Sequence, residues 1–270
     1  MNALNYKQII PSKYIIPKIL LDEYLQFIAI YFPSKSTGRP RIDSEPLIAG
    51  IYYLLRTGCQ WDALPLCFGS AKTVWHRFKE LCTKNIFQQI WKSLLVKYDQ
   101  EKGLGRDHLS VDTCHKKAPI GGKKTGSSPV DRHKQGIKLG LIVDEEGIPL
   151  ASLITSGNRN DQKLLAPLLN DLENQISQSK IGDFHTDKGF SCAANRRELI
   201  SRNFRPVMLK KKPRNKPKPK QEKDGKRWVV ERTFSWINRF RRVFVCYEKL
   251  TSHIQSFVQM AFQTIILKNI

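Results

Sequence analysis

With 270 residues and 40% hydrophobic content, the chain can bury one large core or two smaller ones, so disulfide staples are not needed to fold it. Its 46 lysines and arginines against 24 aspartates and glutamates give a formal charge of +22, which repels itself unless a polyanion shares the load. Nucleic acid is therefore the favoured partner over a merely basic surface. The cysteines at 59, 67, 82, 114, 192 and 246 lack the paired spacing of metal ribbons or secreted scaffolds and read as reduced thiols of a cytoplasmic protein.

The opening segment MNALNYKQII lacks the apolar core and cleavage site of a signal peptide. From 44 to 57, SEPLIAGIYYLLRT sets Leu47, Ile48, Ile51, Tyr52, Leu54 and Leu55 at helical spacing, with Asp43 or Ser44 as cap and Gly58 as stop. A second helix is expected from about Ala71 to Cys82 and a third from about Asn85 to Tyr98. These elements define a helical domain over residues 1–100 whose second helix offers Lys72, His76, Arg77 and Lys79. A helix, a turn and a basic helix suit a major-groove reader with Arg77 among its contacts, although short helical pairs occur in proteins of every class.

After DQEKGLGRDH the hydrophobic period shortens. LSVDTC (109–114), KLGLIVD (138–144), IPLASLIT (148–155), KIGDFHTD (180–187) and RPVML (205–209) read as strands, with a hairpin turn at EEG. Helices are expected over 160–176, over 192–203 and, as one long element, from about Trp228. The fold class is therefore α/β, a mixed five-stranded sheet flanked by helices over 101–270. Two basic segments interrupt it: an exposed arm from Lys116 to Gln135 carrying Lys123 and Lys124, and a loop at 210–227 with ten basic and two acidic residues. The stretch 250–270 is broken by His253, Gln255, Gln259 and Gln263 and reads as amphipathic, not as a membrane span.

Two strands end on an aspartate, Asp112 in SVDTC and Asp187 in HTDKGF. Alone, each is an ordinary turn cap. Glu231, in the first turn of the helix in RWVVERTFSWINRF, could alone be a surface charge or a capping partner. Together the three form a hard-oxygen set that suits magnesium and not zinc, and two such ions can assist phosphoryl transfer. No G-x-S-x-G elbow or Walker-type phosphate loop is present. Alternation places 183, 185 and 187 on one strand face, so Asp183 and His185 stand behind Asp187, His185 as a supporting or core residue. Asp161 in GNRND is expected to cap the following helix.

SVDTC, the GGKKTGSSPVDRHKQGIKLGLIVDEEGIPL hairpin, SGNRNDQKLL, HTDKGF and VVERTFSWINRFRRVFVCYEKL follow one another in an order that resembles the DDE transposases of bacterial insertion sequences. The nearest group is insertion sequence family five of the transposase-four superfamily. GRPRIDSEPLIAGIYYLLRTGCQWDALP is similar to the helical domain that opens such proteins, so the resemblance runs from about Gly38 to Ile266.

It implies a ribonuclease-H-like core with Asp112, Asp187 and Glu231 as a metal-binding triad for Mg2+ or Mn2+, two ions in all. It also implies double-stranded DNA as partner, both the element's terminal repeats and the target, and a homodimer that synapses two ends in a bacterial, nucleoid-associated setting. Arg227 and Glu231 keep the spacing of the family's glutamate signature, whereas Asp224 replaces its tyrosine and Asn238 its lysine. Lys188, Arg232, Arg239 and Arg242 then join Arg227 and Asn238 as expected DNA contacts. An inactive DNA-binding regulator and a metal-dependent endonuclease that does not join ends remain open readings of the same residues.

Overall fold

The structure, a computed structural model, describes residues 6–33, 41–128, 132–176, 182–208 and 228–270. The chain forms two compact units, Met1–Lys97 with Ile237–Ile270, and Tyr98–Trp236. The first unit thus joins residues up to Lys97 with those from Ile237 onward, whereas the sequence reading sets 101–270 apart as one domain.

In the helical unit the helices are α1 (Tyr6–Ile9), α2 (Lys18–Tyr31), α3 (Ser44–Thr57), α4 (Ala71–Thr83) and α5 (Ile86–Glu101). Asp43 caps α3 by accepting from the Glu45 amide at 3.1 Å, and Gly58 ends it with φ +67°. A side chain at Gly58 would also meet Arg241 Cβ at 2.9 Å, so conformation and close packing both require glycine there. Ser70 caps α4 by accepting from the Thr73 amide.

The single long helix expected from Trp228 is three helices: α8 (Trp228–Ile237), α9 (Arg241–Phe244) and α10 (Thr251–Asn269), following α6 (Leu165–Gln175) and α7 (Ala193–Ser201) of the other unit. α10 is buried along most of its length, polar positions included. Phe257 stacks on Phe78 with centroids 4.7 Å apart, and Phe262 meets Trp91 at 5.0 Å. Gln263 is fully buried, accepting from Tyr24 Oη at 2.7 Å and donating to the Phe87 carbonyl at 2.7 Å. A buried amide with both ends satisfied costs little, so a helix can be sheathed in protein and still read as polar. Among the described residues no helix is long and apolar enough to cross a membrane.

The second unit is built on a six-stranded sheet of β1 (His108–Lys117), β2 (Gly126–Ser127), β3 (Gln135–Val143), β4 (Pro149–Ser156), β5 (Asp183–Thr186) and β6 (Arg205–Met208). β3 lies antiparallel to β1, β2 and β4, while β5 runs parallel to both β1 and β6. β2 pairs with Gln135 and Gly136 and β4 with Ile137 to Val143, so the two share one edge of β3. The sixth strand is this two-residue β2, inside the segment read as a basic arm.

α6 covers one face, burying Leu165, Leu168, Leu169 and Leu172. Gly140 admits it, since a Cβ there would lie 3.0 Å from Leu168 Cδ1. The β3–β4 hairpin turns on Gly147 at φ +81°. Asp144 is fully buried in this turn and accepts from the amides of Ile148 at 2.8 Å, Glu146 at 3.0 Å and Gly105 at 3.4 Å. Burial pushes its carboxyl up to about 6 despite those three donors.

Because the folded form holds this proton more tightly than the unfolded chain, the associated stabilisation is complete below about pH 4 and is lost as pH rises through about 6. We predict that the unfolding free energy falls by about 3 kcal/mol across that window and that Asp144→Asn removes the slope. Urea melts at stepped pH measure it, and an unchanged slope in the variant would assign the effect to another group.

Candidate active site

The site starts from strand pairing. The β1–β5 register matches His108 with Asp183, Leu109 with Phe184, Ser110 with His185 and Val111 with Thr186. The next pair in that register is Asp112 with Asp187, on neighbouring strands about 4.8 Å apart. Alternation sends His108, Ser110 and Asp112 to one face of β1, and Asp183, His185 and Asp187 to the same face of β5.

Both aspartates are half-buried, and neither acts as a simple turn cap. Asp187 precedes a 3-10 turn, Lys188–Phe190, but its side chain makes no capping hydrogen bond there. The turn closes instead through backbone, Phe190 N to Asp187 O at 3.0 Å. Asp112 Oδ1 accepts from the Thr113 amide at 2.7 Å. Like charges on adjacent strands repel unless a counter-charge offsets them.

Asp161 has a different role from the expected helix cap. Asn160 supplies the cap, accepting from the Gln162 amide at 2.9 Å. The Asp161 carboxylate accepts from Thr113 Oγ1 at 3.0 Å and from Lys138 Nζ at 2.8 Å, and Lys138 also donates to the Arg159 carbonyl at 2.7 Å. A Cβ on Gly189 would sit 3.1 Å from Asp161 Oδ2. Asp161 thus braces the residue after Asp112 against the turn that follows Asp187. Its signal in the sequence is weak, a third aspartate beside a turn, because the contacts come from three separate elements.

Glu231 lies on the exposed side of α8, opposite the buried Val229, Val230, Thr233, Phe234 and Ile237. The helix is pinned to the β3–β4 turn. Thr233 Oγ1 donates to the Gly147 carbonyl at 2.8 Å and Arg232 Nη2 to the Glu146 carbonyl at 2.8 Å. Arg232 also lies between the rings of Trp228 and Trp236, at 4.6 and 4.9 Å. Its guanidinium holds α8 against the β3–β4 turn.

Two other arginines expected at the DNA, Arg77 and Arg242, are buried and paired within the helical unit. Arg77 is 6% exposed, donating to Ser44 Oγ at 3.0 Å and pairing with Glu80 at 3.2 Å. Arg242 is 5% exposed, bonded to Glu248 and to the Cys59 carbonyl and lying against Trp61 and Phe257. Burial pushes the Glu248 carboxyl up, but His253, Arg242 and Trp61 outweigh it and leave it below its ordinary range. Long basic side chains can fill cores when their heads are paired, and composition does not show which ones do. Lys188, Lys123, Lys124 and Arg239 are exposed, and Asn238 is half-buried. Arg227, Asp224 and the basic loop 210–227 lie outside the described residues.

The central pattern, three antiparallel strands continued by two parallel ones with a pair of aspartates across the change of direction, defines a ribonuclease-H-like core. Residues 105–261 match the family model described as "Transposase DDE domain", and residues 20–91 match one described as "Putative transposase of IS4/5 family". The chain belongs to the transposase DDE domain family.

A relative from Burkholderia cepacia, "Putative transposase for insertion sequence element IS402", is 32% identical over 137 residues, 48% of this chain and 62% of the relative. A second from the same organism, "Insertion element IS402 uncharacterized 16.2 kDa protein", is 27% identical over 97 residues, 35% of this chain and 66% of that protein. The chain thus spans less than two thirds of either. Among solved structures, the piggyBac transposase synaptic complex with hairpin DNA matches with TM-score 0.50 and 12% identity, covering 95% of this chain and 73% of that one, a likeness of fold.

The family implies a divalent metal, and the Asp112–Asp187 pair fits one: both donors are hard carboxylate oxygens on a single sheet face, with Lys138 committed to Asp161 nearby. For Asp161, we predict that its replacement by alanine leaves the mostly buried Lys138 uncompensated and lowers the unfolding free energy by about 2 kcal/mol, with part of the loss recovered on adding Lys138→Met. Denaturant melts of the single and double variants measure this; no recovery would separate Lys138 from the effect.

Proposed function

We propose that the chain is a DNA transposase that cuts at the ends of its own insertion sequence and joins them to target DNA by metal-dependent phosphoryl transfer. The observation that supports this reading is the β1–β5 register, which ends at Val111 with Thr186 and, continued by one position, sets Asp112 opposite Asp187 in a chain of the DDE family. Asp112, Asp187 and Glu231 are the residues that would hold Mg2+ or Mn2+, two ions in the full site. Bound there, the metal supplies Lewis-acid polarisation of the scissile phosphate and a more acidic nucleophile.

The remaining work belongs to the chain's own side chains. Lys188 directly follows Asp187 and is exposed, which supports a role for its ammonium in holding a phosphate beside the reacting one. Lys123, Lys124 and Arg239, with the ten basic residues of 210–227, Arg227 among them, supply the counter-charge for two duplexes. Asn238 can contact a phosphate as a hydrogen-bond donor, without the charge that a lysine would add. A homodimer follows from the need to bring two ends together.

The decisive experiment incubates the purified protein with Mg2+ and supercoiled DNA carrying the element's ends. Asp112→Asn, Asp187→Asn and Glu231→Gln are each expected to abolish cleavage and retain end binding, and full activity in any one removes that residue from the triad. Metal-dependent nicks without joined products would favour an endonuclease, and end binding without any cleavage a regulator. Lys123→Ala with Lys124→Ala should flatten the slope of log affinity against log salt by about 0.9 for every phosphate these lysines neutralise. An unchanged slope would leave these two lysines off the DNA.

A further inference from the structure

On the face that carries the two aspartates, and nearer the start of the same strands, stand three other donors. His108 opens β1, and Asp183 and His185 lie on β5, with His108 directly paired to Asp183. One ligand atom from each of the three lies within 4.8 Å of the others. His108 Nδ1 is 3.6 Å from Asp183 Oδ2, and the two imidazole rings are 5.8 Å apart at 39°. His185 is buried, and the other two are partly so.

We propose that His108, Asp183 and His185 form a second metal site, for a zinc-like divalent ion, separate from the site of Asp112 and Asp187. The chemistry distinguishes the two. A pair of imidazoles with one carboxylate is a borderline donor set that suits Zn2+, Co2+ or Ni2+, whereas the all-carboxylate pair suits Mg2+. Strand rise puts His185 about 7 Å from Asp187, and His108 and Asp183 about 13 Å from Asp112 and Asp187, so occupation of one site does not require the other.

Arg205, from the adjacent β6, is hydrogen-bonded through Nε to Asp183 Oδ1. The guanidinium keeps this carboxylate below the usual range and leaves Oδ2 turned toward His108. A carboxylate held on one oxygen and offering the other to a cation is a common supporting arrangement around protein metals. Ligands drawn from two strands would make the ion a cross-link between β1 and β5, next to the pairing that sets the aspartates side by side. Three protein ligands leave a fourth position to water.

The test uses the full chain, stripped of metal with a chelator and titrated with Co2+ while visible absorption is recorded. One equivalent should produce d–d bands, and excess Zn2+ should erase them. The bands should persist in the Asp112→Asn/Asp187→Asn double variant, which also separates this proposal from the transposase reading. His108→Gln, a change at a partly exposed strand start, and His185→Gln should each weaken Co2+ binding by about tenfold or more. In the Co2+-loaded wild type, NMR should show shifted exchangeable ring protons from two histidines, a readout that needs no variant to fold. Absence of bands in the wild type, their loss only in the aspartate variant, or wild-type spectra without histidine signals would each overturn the proposal.

Discussion

The register between β1 and β5 is the constraint on which the rest of the structure depends. Parallel strands here must be joined by a long crossover, and the chain fills it with β2 to β4 and α6 before returning beside β1. Side chains alternate, so a slip of one residue would send Asp187 to the opposite face from Asp112, and a slip of two would set His185 beside Asp112. Several contacts guard against this. Val111 and Phe184 are buried on the far face, Asp183 is linked to both His108 and Arg205, and Asp161 braces Thr113 against the turn at Gly189. The cost of placing two carboxylates together is thus borne by packing on one face and by polar contacts on both sides of the pair.

Much of this was legible in the sequence, for local reasons. The cap at Asp43, the stop at Gly58 and the hairpin at Gly147 are single-residue signals whose physics does not depend on distant partners. Strands β1, β3, β4, β5 and β6 follow from short apolar runs between turn residues, and the aspartates from the strand ends they occupy. The two-residue β2 was hidden because Gly126 and Ser127 carry no pattern; only their pairing with β3 makes them a strand. The destination of α10 was hidden too, since periodicity reports that a helix has a buried side but not what buries it.

The arginines show the same limit in electrostatic terms. Net charge favours a polyanionic partner but cannot apportion the individual residues. Arg242 and Arg77 are used to satisfy carboxylates inside the helical unit, and Arg232 is wedged between two indoles. The lysines beside Asp187 and in the arm after β1 are among those that face solvent. Asp161 and Asp144 make the complementary point for acids. Neither stands out in the sequence, because one finds its partners on other strands and the other derives its raised proton affinity chiefly from burial.

The helical unit draws on both ends of the chain, with the whole sheet unit lying between them in sequence. During synthesis, α2 to α5 leave the ribosome long before Phe257, Phe262 and Gln263 exist to cover Phe78, Trp91 and Tyr24. The sheet unit, contiguous in sequence, can form first, while the amino-terminal helices wait with an open core. A chain released before α10 is complete would carry a finished sheet and an unfinished helical unit, so truncated products are marked by exposed aromatic surface and are natural targets for proteolysis.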